Sequence, residues 1–415
     1  MRTKAIAWGL PLALLVGGAW AEDLTGDQAG AVRVTWADLV RLVDRHPRLA
    51  AGASRVDAAR GRAEAAGAAP NPTLEIELGR GFARDGGAAR LEWGLALGLP
   101  LGWIAPRGPR IQAAEAEIEA ALAEGRALRR DVLLELQARF WELVSAQARV
   151  ASLEELAAQT AALVDLVRRR VATGELRPLE ATRIEIELEK VTGEVEAARL
   201  ALGASQAELA LWLGAPRAAA IVAIADMAAV QAVPSLDEAL AELHAGHPAL
   251  AAARARVRVQ EHELEAERLA RVPELALSGF ASHELDRRAY GAGLVVELPL
   301  WSWNSGRIAQ AEAELAAGRS QAEAASLELE GAVIRAQAAC QASAATAARL
   351  GAAVVPRAES AAATIERTYQ LGEVGLLELI DSRRTLLDAR RLHLDALSRA
   401  HLDCGRLGAL VGEEL

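Results

Sequence analysis

Aromatic side chains are scarce in this 415-residue chain, 3 % of its positions, and nine of them are tryptophan. So low a share, with a helix-forming composition, points to long helical pairs or coiled coils. Cysteine is rarer still. Cys340 and Cys404 are the only two, too few for a disulfide scaffold or a thiolate metal site. Basic residues are outnumbered 46 to 56, which argues against nucleic acid as a partner. Beyond the first residues no segment approaches the roughly 20 apolar positions of a transmembrane helix. No phosphate loop, nucleophile elbow or glycine-rich dinucleotide loop occurs. "HELE" at His262 and "HELD" at His283 lack the second histidine of a zinc-protease helix. The expectation is a protein that is not an enzyme and that carries no cofactor and no resident metal.

What is present is a helix-forming composition, dominated by Ala, Leu, Glu and Arg, with charges interleaved as on a solvated face. The start, "MRTKAIAWGLPLALLVGGAWA", has basic Arg2 and Lys4, an apolar stretch, and Ala19 and Ala21 at a small-residue cleavage pattern. It reads as a signal peptide over 1–21; a membrane anchor is the competing reading, but the apolar stretch is short for one. Position 22 is Glu, so no lipid is expected on the mature N-terminus.

The rest is one unit written twice. "HPRL" at His46 returns as "HPAL" at His247, "LPL" at Leu99 returns at Leu298, and Gly174, Glu175, Leu179 and Glu180 return as Gly372, Glu373, Leu377 and Glu378. The offset is always about 200 residues. The boundaries expected are 22–214 for the first repeat, 215–234 for an equatorial linker and 235–415 for the second repeat. Each repeat opens on a capping box, Thr35 with Asp38 and Ser235 with Glu238. A helix is expected over about 36–69 and again over about 236–271.

The apolar period then changes to two. Strands are predicted over about 73–81, 89–100, 274–282 and 289–299. Leu74, Ile76 and Leu78 share one face, as do Leu91, Trp93, Leu95, Leu97 and Leu99, and Tyr290, Ala292, Leu294, Val296 and Leu298. The opposite faces hold Glu, Gly and Ala, with Val295 in the last strand. Length and alternation are those of a transmembrane β-strand. Trp93, Trp103, Trp301 and Trp303 stand in or just after the second strand of each repeat, where a membrane-interface belt would sit. Two soluble hairpins, each covered by a helix, are the plainer alternative. Four strands cannot close a barrel, so in lipid several chains must pool theirs.

Long helices follow, from about Arg107 to Ala172 and from about Gly306 to Leu371, each on the order of 100 Å. Shorter helices over 177–213 and 377–411 return. A long cylinder with strands at one end is expected, its far end being the hairpins "TGELRPLEATR" and "LGEVGLLELID". Their glycines end one helix and reverse the chain, which leaves the tip residues exposed to whatever docks there. Glu378 and Asp381 share one helix face after the second tip. Around a symmetric pore they would form acidic rings; a solvated helix end is the plain reading. Glu180 offers a counterpart, although Arg183 stands where Asp381 stands. His244 and His247 are a possible metal pair without a third ligand, so capping or packing outweighs it. Cys340 and Cys404 lie about equally far from the second tip; a disulfide and two separately packed cysteines are both open.

The signal peptide, the doubled helix–strand–strand–helix unit and the "LPL" strand exits resemble the TolC-like outer membrane factor family, over nearly the whole mature chain, with the CzcC-like heavy-metal branch similar in particular. The resemblance implies a mainly α fold with a small β part, in which a homotrimer pools its strands into a 12-stranded barrel and its helical hairpins into an α-barrel. It also implies an exit duct of a tripartite efflux system in the outer membrane, with a long periplasmic extension. The implied partners are outer-membrane lipid, a periplasmic adaptor (membrane fusion protein) and an inner-membrane pump of the resistance-nodulation-division type. A type I protein secretion channel and a soluble periplasmic scaffold are the alternatives. By the same resemblance Gly174, Glu175, Gly372, Glu373, Val374, Gly375 and Leu376 form adaptor-docking tips, and Val374-Gly375-Leu376 is similar to a docking sequence. The first tip departs from it with Leu176, Arg177 and Pro178. Tyr369, Glu378, Asp381 and Glu180 are the implied periplasmic gate, without a basic partner at Val374.

Overall fold

The computed structural model describes residues 32–82, 88–215, 220–230, 232–284, 287–298 and 300–411; the expected signal peptide lies outside them. Chain order is β1 (Val32–Val34), α1 (Trp36–Val43), α2 (Pro47–Gly67), β2 (Thr73–Gly81), β3 (Arg90–Pro100), α3 (Arg107–Ala172), α4 (Pro178–Trp212) and β4 (Ile221–Ala223) in the first half. The second half holds α5 (Leu236–Gly246), α6 (Pro248–Leu269), β5 (Glu274–Glu284), β6 (Arg287–Glu297), α7 (Ser305–Arg349), a π turn (Leu350–Val354), α8 (Val355–Gln370) and α9 (Leu376–Val411). The fold is mostly helical with a small sheet part. Both capping boxes are present: Asp38 and Glu238 each accept from the side-chain hydroxyl and from the backbone N–H of their Thr35 or Ser235 partner, and these bonds, the hydroxyl's first, hold both carboxyls below the usual carboxylate range.

Two compact units form, and each draws on both halves. One consists of Pro47–Leu128 and Glu242–Gly331; the other of the chain up to His46, Arg129–Ala241 and Ala332 onward. The first carries the four-stranded sheet. Its helices pack through a small cluster of Leu264, Ile308, Ala311 and Leu315. The pairs Arg62–Glu117, Arg256–Glu124 and Arg268–Glu312 are largely exposed, so each adds little to stability. The turns leading out of the sheet are anchored by polar side chains. Arg107 donates twice to the Gly67 carbonyl at 3.2 and 3.1 Å, closing the end of α2. Asn304, at φ 56°, donates to the Glu267 carbonyl and carboxylate at 2.8 and 2.7 Å.

In the other unit the core runs along α3. Leu136, Phe140 and Leu143 are fully buried, and the Phe140 ring lies 5.8 Å from Trp36 and 5.4 Å from Trp141. The segment expected as a plain linker holds a strand, which is a finding beyond the sequence reading. β4 pairs in parallel with β1, and such short strands leave backbone groups open. Two glutamines satisfy them: Gln147 exchanges two bonds with Ala223, at 2.9 and 2.8 Å, and Gln206 donates to the Ile221 carbonyl at 2.9 Å. His401 stacks on Trp141 with centroids 3.5 Å apart, and its Nε2 meets the Met227 carbonyl at 2.9 Å.

Burial pushes the His401 imidazole below its ordinary value, against the opposing pull of Met227 and Asp226. The unfolded imidazole, at about 6.5, then takes up a proton before the folded one does, so this contribution is present above that pH and is lost as pH falls. His393 is shifted the same way by burial. Thermal melts are expected to fall from pH 7.5 to 5.5, and the drop should shrink in His401→Gln.

Three expectations about helix continuity are corrected. The helices expected over 36–69 and 236–271 are each broken at the "HP" dipeptide. Pro47 and Pro248 open α2 and α6, because proline has no N–H to give the preceding turn and pushes the residue before it out of the α region. His247 is extended and caps α6, accepting from the Ala249 N–H at 3.2 Å. The helix expected over 306–371 is interrupted by the π turn next to Pro356. The last hairpin reaches closer to its turn than predicted, with strands at Glu274–Glu284 and Arg287–Glu297.

Candidate functional site

The sheet has the order β2-β3-β5-β6, antiparallel throughout. Its register turns the alternation of the sequence into two unlike faces. Leu74 stands beside Leu97, Ile76 beside Leu95, and Leu78 beside Trp93. On the same face Leu99 meets Leu277, and Leu277 meets Leu294. These side chains are exposed: Leu78 is 73 % and Leu294 61 % accessible. The other face is mostly small or polar, with Phe280 and Val295 as its large apolar side chains. It bears Glu75, Glu77, Glu92, Glu274, Glu284 and Glu297 against Arg90 and Arg287. Glycines on it leave room for neighbours, since a Cβ at Gly291 would stand 2.8 Å from the Phe280 ring. β2 and β6 each pair on one side only among the described residues, so the sheet as described has two open edges. Among the described residues no helix is long and apolar enough to cross a membrane.

Trp93 lies on the apolar face opposite Leu78 and His283. Trp103 is half-buried, donates to the Pro100 carbonyl at 3.1 Å and lies under the Arg107 guanidinium at 5.5 Å. Trp301 is 95 % exposed and Trp303 59 %. An apolar body with a polar N–H suits such side chains to a boundary between lipid and water.

The two hairpin tips are built alike. At the first, Gly174 has φ 81°, its N–H bonds the Val171 carbonyl at 3.0 Å and the Glu175 N–H reaches Arg170 at 2.9 Å. At the second, Gly372 has φ 79°, with matching bonds from Gly372 to Tyr369 and from Glu373 to Thr368. This is a Schellman closure, and the positive φ is why glycine stands there. Gly174, Glu175, Gly372, Glu373 and Gly375 are exposed. The expectation that every tip residue is exposed is corrected at Leu176 of the first tip, which is half-buried against the cluster below, and at two positions of the second. Val374 is half-buried, and Leu376 packs with Leu163, Val164, Val167, Ile184, Tyr369 and Leu379.

Tyr369 is also inside this cluster, under the Arg170 guanidinium at 5.5 Å, and burial pushes its hydroxyl above the ordinary phenol value. Glu378 and Asp381 are exposed, and Glu180 is half-buried and pairs with Arg183 at 3.5 Å. The two acids of α9 thus share an open face, while the tyrosine is held apart in the core. His244 faces Glu330 at 3.2 Å and His247 caps a helix, so they do different jobs. Among the described residues no three His, Cys, Asp or Glu side chains gather as a metal site. Cys340 of α7 and Cys404 of α9 are bonded, with Cα atoms 4.6 Å apart.

Sequence reading missed the arginines of α9. Arg384 grips Glu187 of α4 with two nitrogens, one at 2.6 Å, and this pair holds the guanidinium still more firmly protonated. Arg383 joins the Gln159 carbonyl of α3 to Glu366 of α8, both at 3.1 Å. Arg390 does the same for Glu155 and Glu359, at 3.2 and 3.0 Å. The signal was there: two arginine pairs one heptad apart in "SRRTLLDARR". Between α3, α4 and α9 runs a groove of about 670 Å³ lined by charges of both signs, among them Arg149, Lys190, Glu194 and Asp388.

Comparison with known proteins gives one family and one fold. The family described as outer membrane efflux protein matches residues 39–215 and 239–413. The cobalt-zinc-cadmium resistance protein CzcC of Cupriavidus metallidurans is 28 % identical over 372 residues, 88 % of this chain and 86 % of its own. Among solved structures, CusC superposes with a TM-score of 0.75 at 18 % identity, covering 94 % of this chain and 95 % of that one. VceC of Vibrio cholerae does so at 0.73 and 19 %, covering 91 % and 96 %.

Proposed function

Because this chain belongs to the outer membrane efflux protein family, we propose that three copies close their four-stranded sheets into one twelve-stranded barrel in the outer membrane. The family and fold are those of channel proteins, and the activity is that of an efflux duct. The observation that carries the proposal is the sheet itself. An exposed apolar face, a polar opposite face and two open edges cannot persist in lipid unless the edges meet those of other chains.

In this reading the apolar face meets acyl chains, Trp301 and Trp303 sit at the headgroups, and the acid-rich face lines water. The repeats 22–214 and 235–415 each supply one strand hairpin and one helical hairpin, and the helices continue the path through the periplasm. The exposed tip residues meet a periplasmic adaptor that couples the duct to a resistance-nodulation-division pump. Glu378 and Asp381, with Glu180, ring the periplasmic mouth, and Tyr369 braces that gate from within the protomer. Divalent metal cations are the proposed cargo. The name of the CzcC relative supports this, as does the surplus of carboxylates on the polar sheet face and at the second tip.

Edge closure is tested by cross-linking. Ile76→Cys on β2, combined in turn with Ala292→Cys or Leu294→Cys on β6, is expected to give covalent trimers in the outer-membrane fraction for one register. Monomers alone at every register, from protein recovered in that fraction, would refute closure between β2 and β6.

A further inference from the structure

We propose that the π turn at Leu350–Val354 is a pivot for the α8–α9 tip hairpin, and that the Cys340–Cys404 bond fixes the helix pair on its far side. The inference rests on the duct reading, because a pivot matters to transport only if the tip controls a passage.

The two halves differ at this point. α3 crosses 66 residues as unbroken α-helix, whereas the corresponding helix of the second half is divided into α7, the π turn and α8. Pro356 supplies the cause. It has no N–H, and its ring crowds the carbonyl four residues back. The widened turn carries the ladder past it, with the Val355 N–H closing on Leu350, five residues behind. A π turn holds one residue more than the α-helix needs and marks a place where a helix can change course.

The surroundings suit a pivot. Gly351 leaves space that the His393 ring of α9 fills, since a Cβ there would stand 2.7 Å from its Nε2. On the side away from the tip, α7 and α9 are joined covalently through two buried cysteines. On the tip side the ties from α9 to α3 and α4 are non-covalent: Arg383, Arg384 and Arg390 reach across, and Leu376 and Leu379 pack into the tip cluster. These contacts, unlike the disulfide, can break and re-form, since each ion pair keeps one partner open to solvent. Arg383 and Arg390 also hold Glu366 and Glu359 of α8, so α8 and the facing turns of α9, as far as Arg390, would move together. A fixed end, a softened turn and a braced lever follow in that order along the chain.

Hydrogen exchange on the purified trimer tests this. In the wild type, amides of α8 are expected to exchange at least about tenfold faster than those in the last turns of α3. Deleting Ala352 together with Pro356→Ala removes the extra residue and the proline while keeping the register on both sides. In that variant α8 should become as protected as α3, and channel openings in a planar bilayer should become several-fold rarer. Cys340→Ala with Cys404→Ala should instead spread fast exchange back into the end of α7. Equal exchange of α8 and α3 in the wild type would overturn the pivot, and that comparison decides even if the shortened variant does not fold. Unchanged exchange and opening in a folded shortened variant would overturn it as well. A folded trimer that never conducts would sink the duct reading instead, while the exchange comparison would still decide whether the turn is soft.

Discussion

Leu95→Arg is expected to abolish insertion into the outer membrane, while Ala96→Arg, one residue along, leaves most of the protein inserted. Leu95 sits in the middle of β3 between Ile76 and Ala281, on the apolar face. A cationic side chain facing lipid near the midplane costs roughly 2–4 kcal/mol in a β-barrel. Three copies in one barrel would raise that to roughly 6–12 kcal/mol, comparable with the whole stability of an ordinary domain. Ala96 points to the other face, beside Glu75 and Phe280, where an arginine meets water and carboxylates. The check is the fraction of each variant recovered with outer membranes rather than in the soluble periplasm. Equal recovery of the two would mean that the faces are not lipid and water.

The second large effect separates the two sides of the first turns of α9. Leu379 is 1 % exposed in the tip cluster, and Leu379→Ala is expected to cost about 2–5 kcal/mol through lost burial and the cavity left behind. Because this cluster joins both hairpins, the loss should appear as fast hydrogen exchange at both tips, at 163–185 and 365–380. Glu378 and Asp381 are exposed on the same turns. Glu378→Gln with Asp381→Asn should leave the melting curve within about 0.5 kcal/mol of wild type yet reduce the preference for cations over anions several-fold. A neutralised variant with unchanged selectivity would move the selective charges elsewhere, to the polar sheet face in the first instance.

Much of the fold was legible because it depends on local rules. Strand faces follow from a period of two, and the register keeps Leu74, Ile76 and Leu78 on the face with Trp93, Leu95 and Leu97. The tips follow from glycine at positions where φ must be positive, and the helix starts from Thr35 and Ser235. The misses have physical reasons as well. The breaks at His46 and His247 were written in "HP", but the apolar spacing ran on across them and masked the effect of proline. Pro356 carries little weight in the sequence pattern because the surrounding residues form helix so strongly. The pairing of β1 with β4 had no local signal, since two three-residue strands complete their backbone bonds through distant glutamines on α3 and α4. At the candidate site, exposure of the tips could be read from the sequence, but the burial of Tyr369 and Leu376 depends on side chains brought together from four helices.

The most direct measurement is single-channel recording of the purified protein in a planar bilayer, with ion selectivity taken from reversal potentials. The account predicts that a folded trimer inserts and conducts in discrete steps, favouring cations. A folded trimer that never inserts, or that remains soluble without detergent, would contradict it.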